Sequence, residues 1–236
     1  MAEEIMYAYI AITGNIASGK TTLARDLENR WKYEFFKEEV DPRILDPFYK
    51  DRKTYGKQTQ VHFITTRSED LEKILFFLRL AKNNGSPYYA VTDSVFGVDS
   101  QVYAKNLLQE ENLTSEEYAE TVEFENSHTR HIPDHDLLIY LRTSVSVLKQ
   151  RIIARGRPNE QELALPENDY LDKLNVLHEE SFTQYKGKKA VITTDNLALV
   201  PDFNRGNPKP TSIDDILNFI LSCLKSEDDK GIFMFS

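Results

Sequence analysis

The chain has 236 residues, of which 40% are hydrophobic and 28% charged, and its formal net charge is −9. That length suits one sizeable α/β domain with its own core, and the composition is too polar for a membrane protein. The acidic balance argues against extended binding to a nucleic-acid backbone, which needs a basic surface, but it permits a small anion held by local positive charge. No apolar run approaches a membrane span, MAEEIMYAY lacks the basic start and cleavage site of a secretory signal, and the single Cys223 cannot form an intrachain disulfide. A reducing cytoplasm is therefore expected, with neither membrane nor nucleic acid as partner. Cys223 itself sits in an apolar helical pattern and reads as a packed core thiol.

The apolar run from Tyr7 to Ile12 breaks into Gly14 to Thr21, and helical periodicity resumes at Leu23, Leu27 and Trp31. This reads as strand, phosphate-binding loop and helix. The pattern GxxxxGKS/T is met by Gly14, Gly19, Lys20 and Thr21. The glycines allow successive N–H groups to turn inward on one anion, and the helix start points its positive dipole end at the same place. Lys20 brings a mobile charge to the β- and γ-phosphates, and the Thr21 hydroxyl can ligate Mg2+. With Asn15, Ile16, Ala17, Ser18 and Thr22, the loop is the expected seat of ATP or another nucleoside triphosphate.

Tyr33 to Lys37 reads as a second strand, and EEVDPRILDPFYKDRKTYG, with two prolines and mixed charge, as an ordered loop. Val61, Ile64, Leu71, Ile74, Leu75 and Leu78 keep helical spacing within one long helix from Lys57 until NNG stops it. Tyr88 to Asp93 is a strand ending in a carboxylate, followed by a helix containing Val102, Tyr103, Leu107 and Leu108. TSEE at Thr114 to Glu117 is a capping box, and Pro133 ends that region before a fourth strand, Asp136 to Leu141. Then come a helix ending in Arg151, Arg155 and Arg157, a proline-broken acidic loop, and a helix from about Asp169 to Tyr185. A fifth strand runs from Ala190 to Thr194, the turn-rich VPDFNRGNPKPTS follows, and SIDDILNFILSCLKS is a closing helix. The expectation is an α/β fold with a five-stranded parallel sheet covered on both faces. It forms a single domain over 1–226, with a lid at about 151–166 and a fraying tail at 227–236.

A phosphate loop is common to GTPases, transporters, motor ATPases and small kinases and singles out none of them. No NKxD sequence of the kind that reads guanine is present. GNIASGKTT in the loop, KEEV after the second strand, TDSVF after the third and RIIARGR beyond the fourth resemble the deoxyribonucleoside kinases of the deoxycytidine, deoxyguanosine and bacterial deoxyadenosine kinase type. The resemblance runs from the loop to about His178, and it implies the P-loop kinase fold with an arginine-rich lid, a deoxynucleoside substrate and a homodimer.

By that resemblance Glu38 is the catalytic base, which suits a sugar 5′-hydroxyl that is a poor nucleophile until a carboxylate takes its proton. Tyr49 falls at the position of a sugar-contacting tyrosine, and Gln60 and Arg67 at those of base-reading residues. Gln60 and Arg67 are seven apart on one helix and so share a face. Asp99 corresponds to a carboxylate that supports Arg67, a pairing that favours deoxyadenosine, deoxyguanosine or deoxycytidine over thymidine. Tyr103, with Phe63 or Phe96, is a candidate wall for the base. Asp93 is the acidic residue of an Asp/Glu-Arg-Ser motif and a magnesium ligand beside Thr21. Arg151, Arg155 and Arg157 match the lid arginines that neutralise the transferred phosphoryl group, and Glu160, with Glu162 as a competitor, matches a lid carboxylate to the sugar.

One departure stands out: Ser94 occupies the place of the motif's arginine. Three explanations follow. Another arginine such as Arg43 or Arg52 reaches in, the acceptor differs, or turnover is weak. The alternatives to a deoxynucleoside 5′-kinase are accordingly a thymidylate-kinase-like nucleoside monophosphate kinase and a catalytically weak nucleotide-binding subunit.

Overall fold

The strand β1 (Tyr7–Thr13) lies in the middle of the sheet because its sequence, YAYIAIT, leaves almost nothing for water on either face. Tyr9 and Ala11 join one buried cluster, and Ala8, Ile10 and Ile12 join the other, as alternation along a strand requires. The computed structural model describes residues 7–38, 41–130, 132, 135–196, 213–228 and 232–235. Around β1 the order is β2–β3–β1–β4–β5–β6, with β2 (Glu34–Phe36), β3 (Tyr88–Thr92), β4 (Leu137–Arg142), β5 (Lys189–Thr193) and β6 (Ile232–Phe235). Every neighbouring pair is parallel. The sheet thus has six strands where the sequence suggested five. IFMF, read as part of a fraying tail, pairs with β5 because a neighbouring ladder satisfies backbone groups that a free tail would leave to water.

Helices cover both faces. The helix α1 (Lys20–Trp31) packs with α8 (Ile213–Lys225) on one side, through Leu23, Leu27, Ile216, Leu217, Ile220 and the buried Cys223. On the other side α3 (Arg52–Asn84) contributes Leu71, Ile74 and Leu75, α6 (Val145–Arg155) Leu148 and Ile152, and α7 (Tyr170–Gln184) Leu171, Leu174 and Leu177. Truncating one of the fully buried leucines, Leu23 or Leu174, to Ala should cost about 2–5 kcal/mol.

Two local readings change. The expected loop after β2 contains α2 (Pro42–Lys50): the Asp41 carboxylate accepts from Arg43 N at 2.8 Å and Pro42 occupies the first turn, where a missing N–H costs nothing. The acidic segment of the lid winds into a 3₁₀ helix, Pro158–Ala164. The capping box forms as read, with Thr114 and Glu117 each bonded to the other's backbone N–H at the start of α5 (Ser115–Thr129). After β3 the chain enters a π-helix, Asp99–Ala104, which runs into α4 (Lys105–Gln109). Such wide turns are rare and concentrate at functional sites. Pro133 and the whole of VPDFNRGNPKPTS lie outside the described residues.

Because the chain leaves β1 toward β2 and β3 on one side and returns to β4 on the other, the crevice beyond the carboxyl end of β1 lies at a topological switch point. Among the described residues no helix is long and apolar enough to cross a membrane.

Candidate active site

The loop after β1 is shaped by backbone. Gly14 has φ +144°, and a Cβ there would lie 2.8 Å from the Leu141 carbonyl oxygen, so any other side chain is excluded by space as well as by conformation. Gly19, at φ +107°, turns the chain into α1. Asn15 fastens the loop to α7: its amide nitrogen donates to Leu171 O at 2.9 Å and to Asn175 Oδ1 at 2.6 Å. Ile16 and Ala17 pack partly buried against the core, while Ser18 is fully buried and Thr22 lies in the first turn of α1. Arg151 braces the loop from α6, donating to Ser18 O at 3.1 Å and to Thr194 O at 2.6 Å. Lys20 Nζ donates to Gly14 O at 2.7 Å and Asn15 O at 3.0 Å. Burial draws its pKa down to about 8, with the charges of Glu38, Asp93, Arg155 and Arg67 all acting on it.

Asp93, buried at the end of β3, joins this loop to the opposite wall. One oxygen accepts from the Thr21 hydroxyl at 2.5 Å, and the other accepts from the Glu38 backbone N–H at 2.8 Å. Burial raises its carboxyl above the ordinary range, against those two donors. A hydroxyl and a carboxylate side by side are hard oxygen donors, a set that fits magnesium.

Opposite stands a chain of charges. Arg67, nine-tenths buried on α3, donates from one arm to Glu38 Oε1 and from the other to Asp99 Oδ2 on the π-helix. Burial works against the guanidinium charge, but Asp99 and Glu38 more than offset it and hold Arg67 as a cation. Burial raises the Asp99 carboxyl, and Arg67 opposes the rise. Gln60 lies buried one helical face along from Arg67. Tyr103 is partly buried against the same core, and burial raises both its phenol and that of Tyr49, whose surroundings include Glu160, Tyr170 and Tyr103. The Arg67 guanidinium carbon sits 5.6 Å from the Phe63 ring centroid. On the lid, the buried Glu160 takes both Arg155 and Arg157.

Lys20, Thr21, Glu38, Arg67, Asp93, Asp99 and Tyr103 are thus drawn together through bonds and charge, with Tyr49 and Glu160 beside them, whereas Arg151 is set back against the loop as its brace, Phe96 lines a separate cavity with Gln184 and Tyr185, and Glu162 is exposed. Neither arginine proposed to stand in for the one missing at position 94 reaches it. Arg43 is exposed and paired with Asp41, while Arg52 pairs with Glu110 and lies over the Tyr170 ring at 3.8 Å. The cation at Glu38 is Arg67.

A family model described as deoxynucleoside kinase matches residues 10–214. The chain belongs to the deoxynucleoside kinase family. It is 30% identical over 187 residues to the deoxyguanosine kinase of Bacillus subtilis strain 168, covering 78% of this chain and 83% of that one. It is 30% identical over 173 residues to a deoxyadenosine kinase of Dictyostelium discoideum, covering 72% and 65%. Its fold superposes on the deoxyadenosine kinase of M. mycoides with bound dCTP at a TM-score of 0.67 and 25% identity, over 91% of this chain and 99% of that one.

Within this family member two functional contacts escaped the sequence. Glu125 of α5, buried, accepts from Gly97 N at 2.8 Å and Ser100 N at 3.2 Å, and so fixes the start of the π-helix that carries Asp99. Asn175 holds Asn15 from one side and donates to Thr143 O at 2.9 Å on the other. Neither lies in a motif, and both act across more than twenty residues of sequence, so no local pattern could have flagged them.

Proposed function

We propose that this protein transfers the γ-phosphoryl group of ATP to the 5′-hydroxyl of a deoxyribonucleoside, giving the monophosphate, with deoxyadenosine, deoxyguanosine or deoxycytidine preferred over thymidine. The observation that carries the reading is the placement of Glu38: Asp93 binds its backbone and, through Thr21, the phosphate loop, so base and phosphate seat share one fixed post. A Glu38 carboxylate oxygen takes the 5′-hydroxyl proton. The freed oxygen lone pair forms the bond to the γ-phosphorus, the bond from that phosphorus to the β,γ-bridging oxygen breaks, and ADP leaves with the electron pair. Lys20, Arg155 and Arg157 neutralise charge on the moving group, while Arg151 holds the loop in shape. Thr21 and Asp93 would hold Mg2+, which when bound supplies charge neutralisation between the β- and γ-phosphates.

On the acceptor side Gln60 faces the base, Tyr103 and Phe63 wall it, and Tyr49 and Glu160 address the sugar. With Arg43 and Arg52 engaged elsewhere, the geometry favours a neutral hydroxyl over the phosphate that a monophosphate kinase must hold. The protein works in the cytoplasm as a homodimer, for which the outer face of α3, with Phe76, Phe77 and Leu80 exposed, offers an apolar surface.

ADP release measured with a panel of deoxynucleosides and their monophosphates tests the reading. Turnover is expected with the deoxynucleosides and should fall on the order of 10²–10⁴-fold in Glu38→Gln with ATP affinity retained. Turnover only with monophosphates, or with no acceptor, would overturn it.

A further inference from the structure

The phosphate loop is held at two points, one by each of the helices that flank the lid. From α7, Asn175 Oδ1 accepts from the Asn15 side-chain amide at 2.6 Å, and the Asn175 amide donates to Thr143 O at 2.9 Å, just past β4. From α6, Arg151 donates to Ser18 O at 3.1 Å and, through both Nη atoms, to Thr194, just past β5. The two arms meet, because Thr143 Oγ1 and Thr194 Oγ1 share a hydrogen bond at 2.6 Å. Within the loop, Ser18 N donates to Asn15 O at 3.1 Å. The bonds close a ring that runs from Asn15 through Asn175, Thr143, Thr194, Arg151 and Ser18 back to Asn15. Thr143, Thr194 and Arg151 are buried, so bulk water does not replace a bond lost there.

The ring acts on the peptide groups that an anion meets. A trans peptide points its C=O and N–H in opposite directions. By taking Ser18 O, Arg151 therefore turns the Gly19 N–H away from the ring, the direction an anion-binding loop requires. At the other hold, the Asn15 side chain accepts from Ile16 N at 2.7 Å, and Asn15 O accepts from Lys20 Nζ at 3.0 Å. Fixing Asn15 thus fixes the next peptide and the resting place of the lysine. Asn15 keeps a second tie to α7, at Leu171 O and 2.9 Å, so a cut at Asn175 loosens the loop without freeing it. The reaction proposed above makes no use of Asn175, Thr143 or Thr194.

We infer that Asn175, Thr143 and Thr194 are positioning residues for ATP, which act through this closed ring to hold the phosphate loop in the shape that binds the triphosphate. None of the three touches the nucleotide. Because the bonds form one circuit, a single cut opens it, and a second cut elsewhere has little left to undo. α6 and α7 are also the two stems of the lid, so the ring ties the base of the lid to the loop.

The inference rests on the loop being the seat of ATP, and it is read by binding, which needs no turnover. ATP affinity is measured by isothermal titration calorimetry on Asn175→Leu, Thr194→Val and the double variant. Thr194→Val cuts the hydroxyl bond and leaves Arg151 on Thr194 O. Each single substitution should weaken ATP about tenfold. The double variant should be no more than about threefold weaker than the worse single, as expected of two residues in one network. Thr194→Ser keeps the hydroxyl and should restore native affinity. In kinetics the rise should fall on the ATP KM and leave the deoxynucleoside KM in place. Should Thr194→Val fail to fold, Thr143→Val severs the same hydroxyl pair and takes its place. Additive losses, about a hundredfold in the double variant, would mean two separate braces and overturn the ring. Unmoved ATP affinity would overturn the positioning role, as would both KM values rising together with a lower melting temperature, or no rescue by Thr194→Ser. Native protein that binds no ATP would overturn the proposed function along with this inference, whereas native binding with unmoved variants overturns this inference alone.

Discussion

The two halves of the crevice are built on opposite plans. On the donor side most side chains are already engaged by the protein, Lys20 on Gly14 and Asn15, Asn15 on α7, Thr21 on Asp93, and Arg151 on Ser18 and Thr194, with the buried Ser18 Oγ the exception. Its shape comes from backbone, with Gly14 and Gly19 in conformations that other residues resist. On the acceptor side, α3 and the π-helix supply the polar groups, and Gln60, Arg67 and Asp99 each keep a buried polar atom without a partner among the described residues. The difference has a physical sense. A triphosphate is the same for every substrate, so a rigid loop can be completed in advance, whereas a nucleobase must be discriminated, and discrimination comes from buried groups that only the right partner satisfies.

The comparison can be broken at its strongest point first. Lys20→Met removes the only side-chain charge of the donor loop and should lower kcat on the order of 10³-fold or more, while the melting temperature changes little, because the lysine bonds only to two carbonyls. A comparable loss of fold would mean that the loop is not self-supporting. Next is Gly14→Ala, which meets both the Leu141 carbonyl and the Ser18 hydroxyl. The ATP KM should rise roughly 10–100-fold, with the deoxynucleoside KM unchanged, if the loop serves the donor alone.

On the acceptor side, Gln60→Leu keeps the shape but removes the bare acceptor. Deoxynucleoside kcat/KM should fall about 10–100-fold and thermal stability should hold or rise, since an unpaired buried oxygen has gone. Loss of stability instead would show that Gln60 supports the fold rather than the ligand.

The smallest effect concerns pH. His178, buried beside Tyr103 and Tyr140, has its pKa lowered to about 3 by burial and, secondarily, by Lys20. The folded state thus prefers the neutral ring. Its contribution to stability is intact above the ordinary value of 6.5 and drains away as pH falls from there toward 3. At pH 5 the loss should be about 2 kcal/mol. In urea unfolding, His178→Phe should narrow the difference in stability between pH 7.5 and pH 5 by about that amount, while His135, whose pKa burial lowers to about 4, keeps a similar loss of its own.

How far the chain could be read by eye follows the same division between the halves. Gly14 to Thr21 is contiguous, so residue types and spacing alone specified a phosphate seat. The long helix, the capping box at Thr114 and five of the six strands are local patterns and were legible for that reason. α2 was missed although Asp41 and Pro42 are a helix start, because two prolines and mixed charge outweighed the cap. β6 was missed because an edge strand of four residues owes its existence to its neighbour, not to its own pattern. The acceptor residues could be named individually from the family resemblance, but the resemblance carries roles and not partners.

What the sequence determined by itself is the loop, the alternation of strand and helix that makes the sheet parallel, and the identity of the groups at the strand ends. Tertiary structure alone decided which cation meets Glu38. Arg67 is 29 residues from Glu38 and 32 from Asp99, and neither carboxylate lies in α3 with it, so no pattern within one element links the three. Only the packing of α3 against the π-helix, with burial to make each unpaired charge expensive, brings the three together and leaves Arg43 and Arg52 outside.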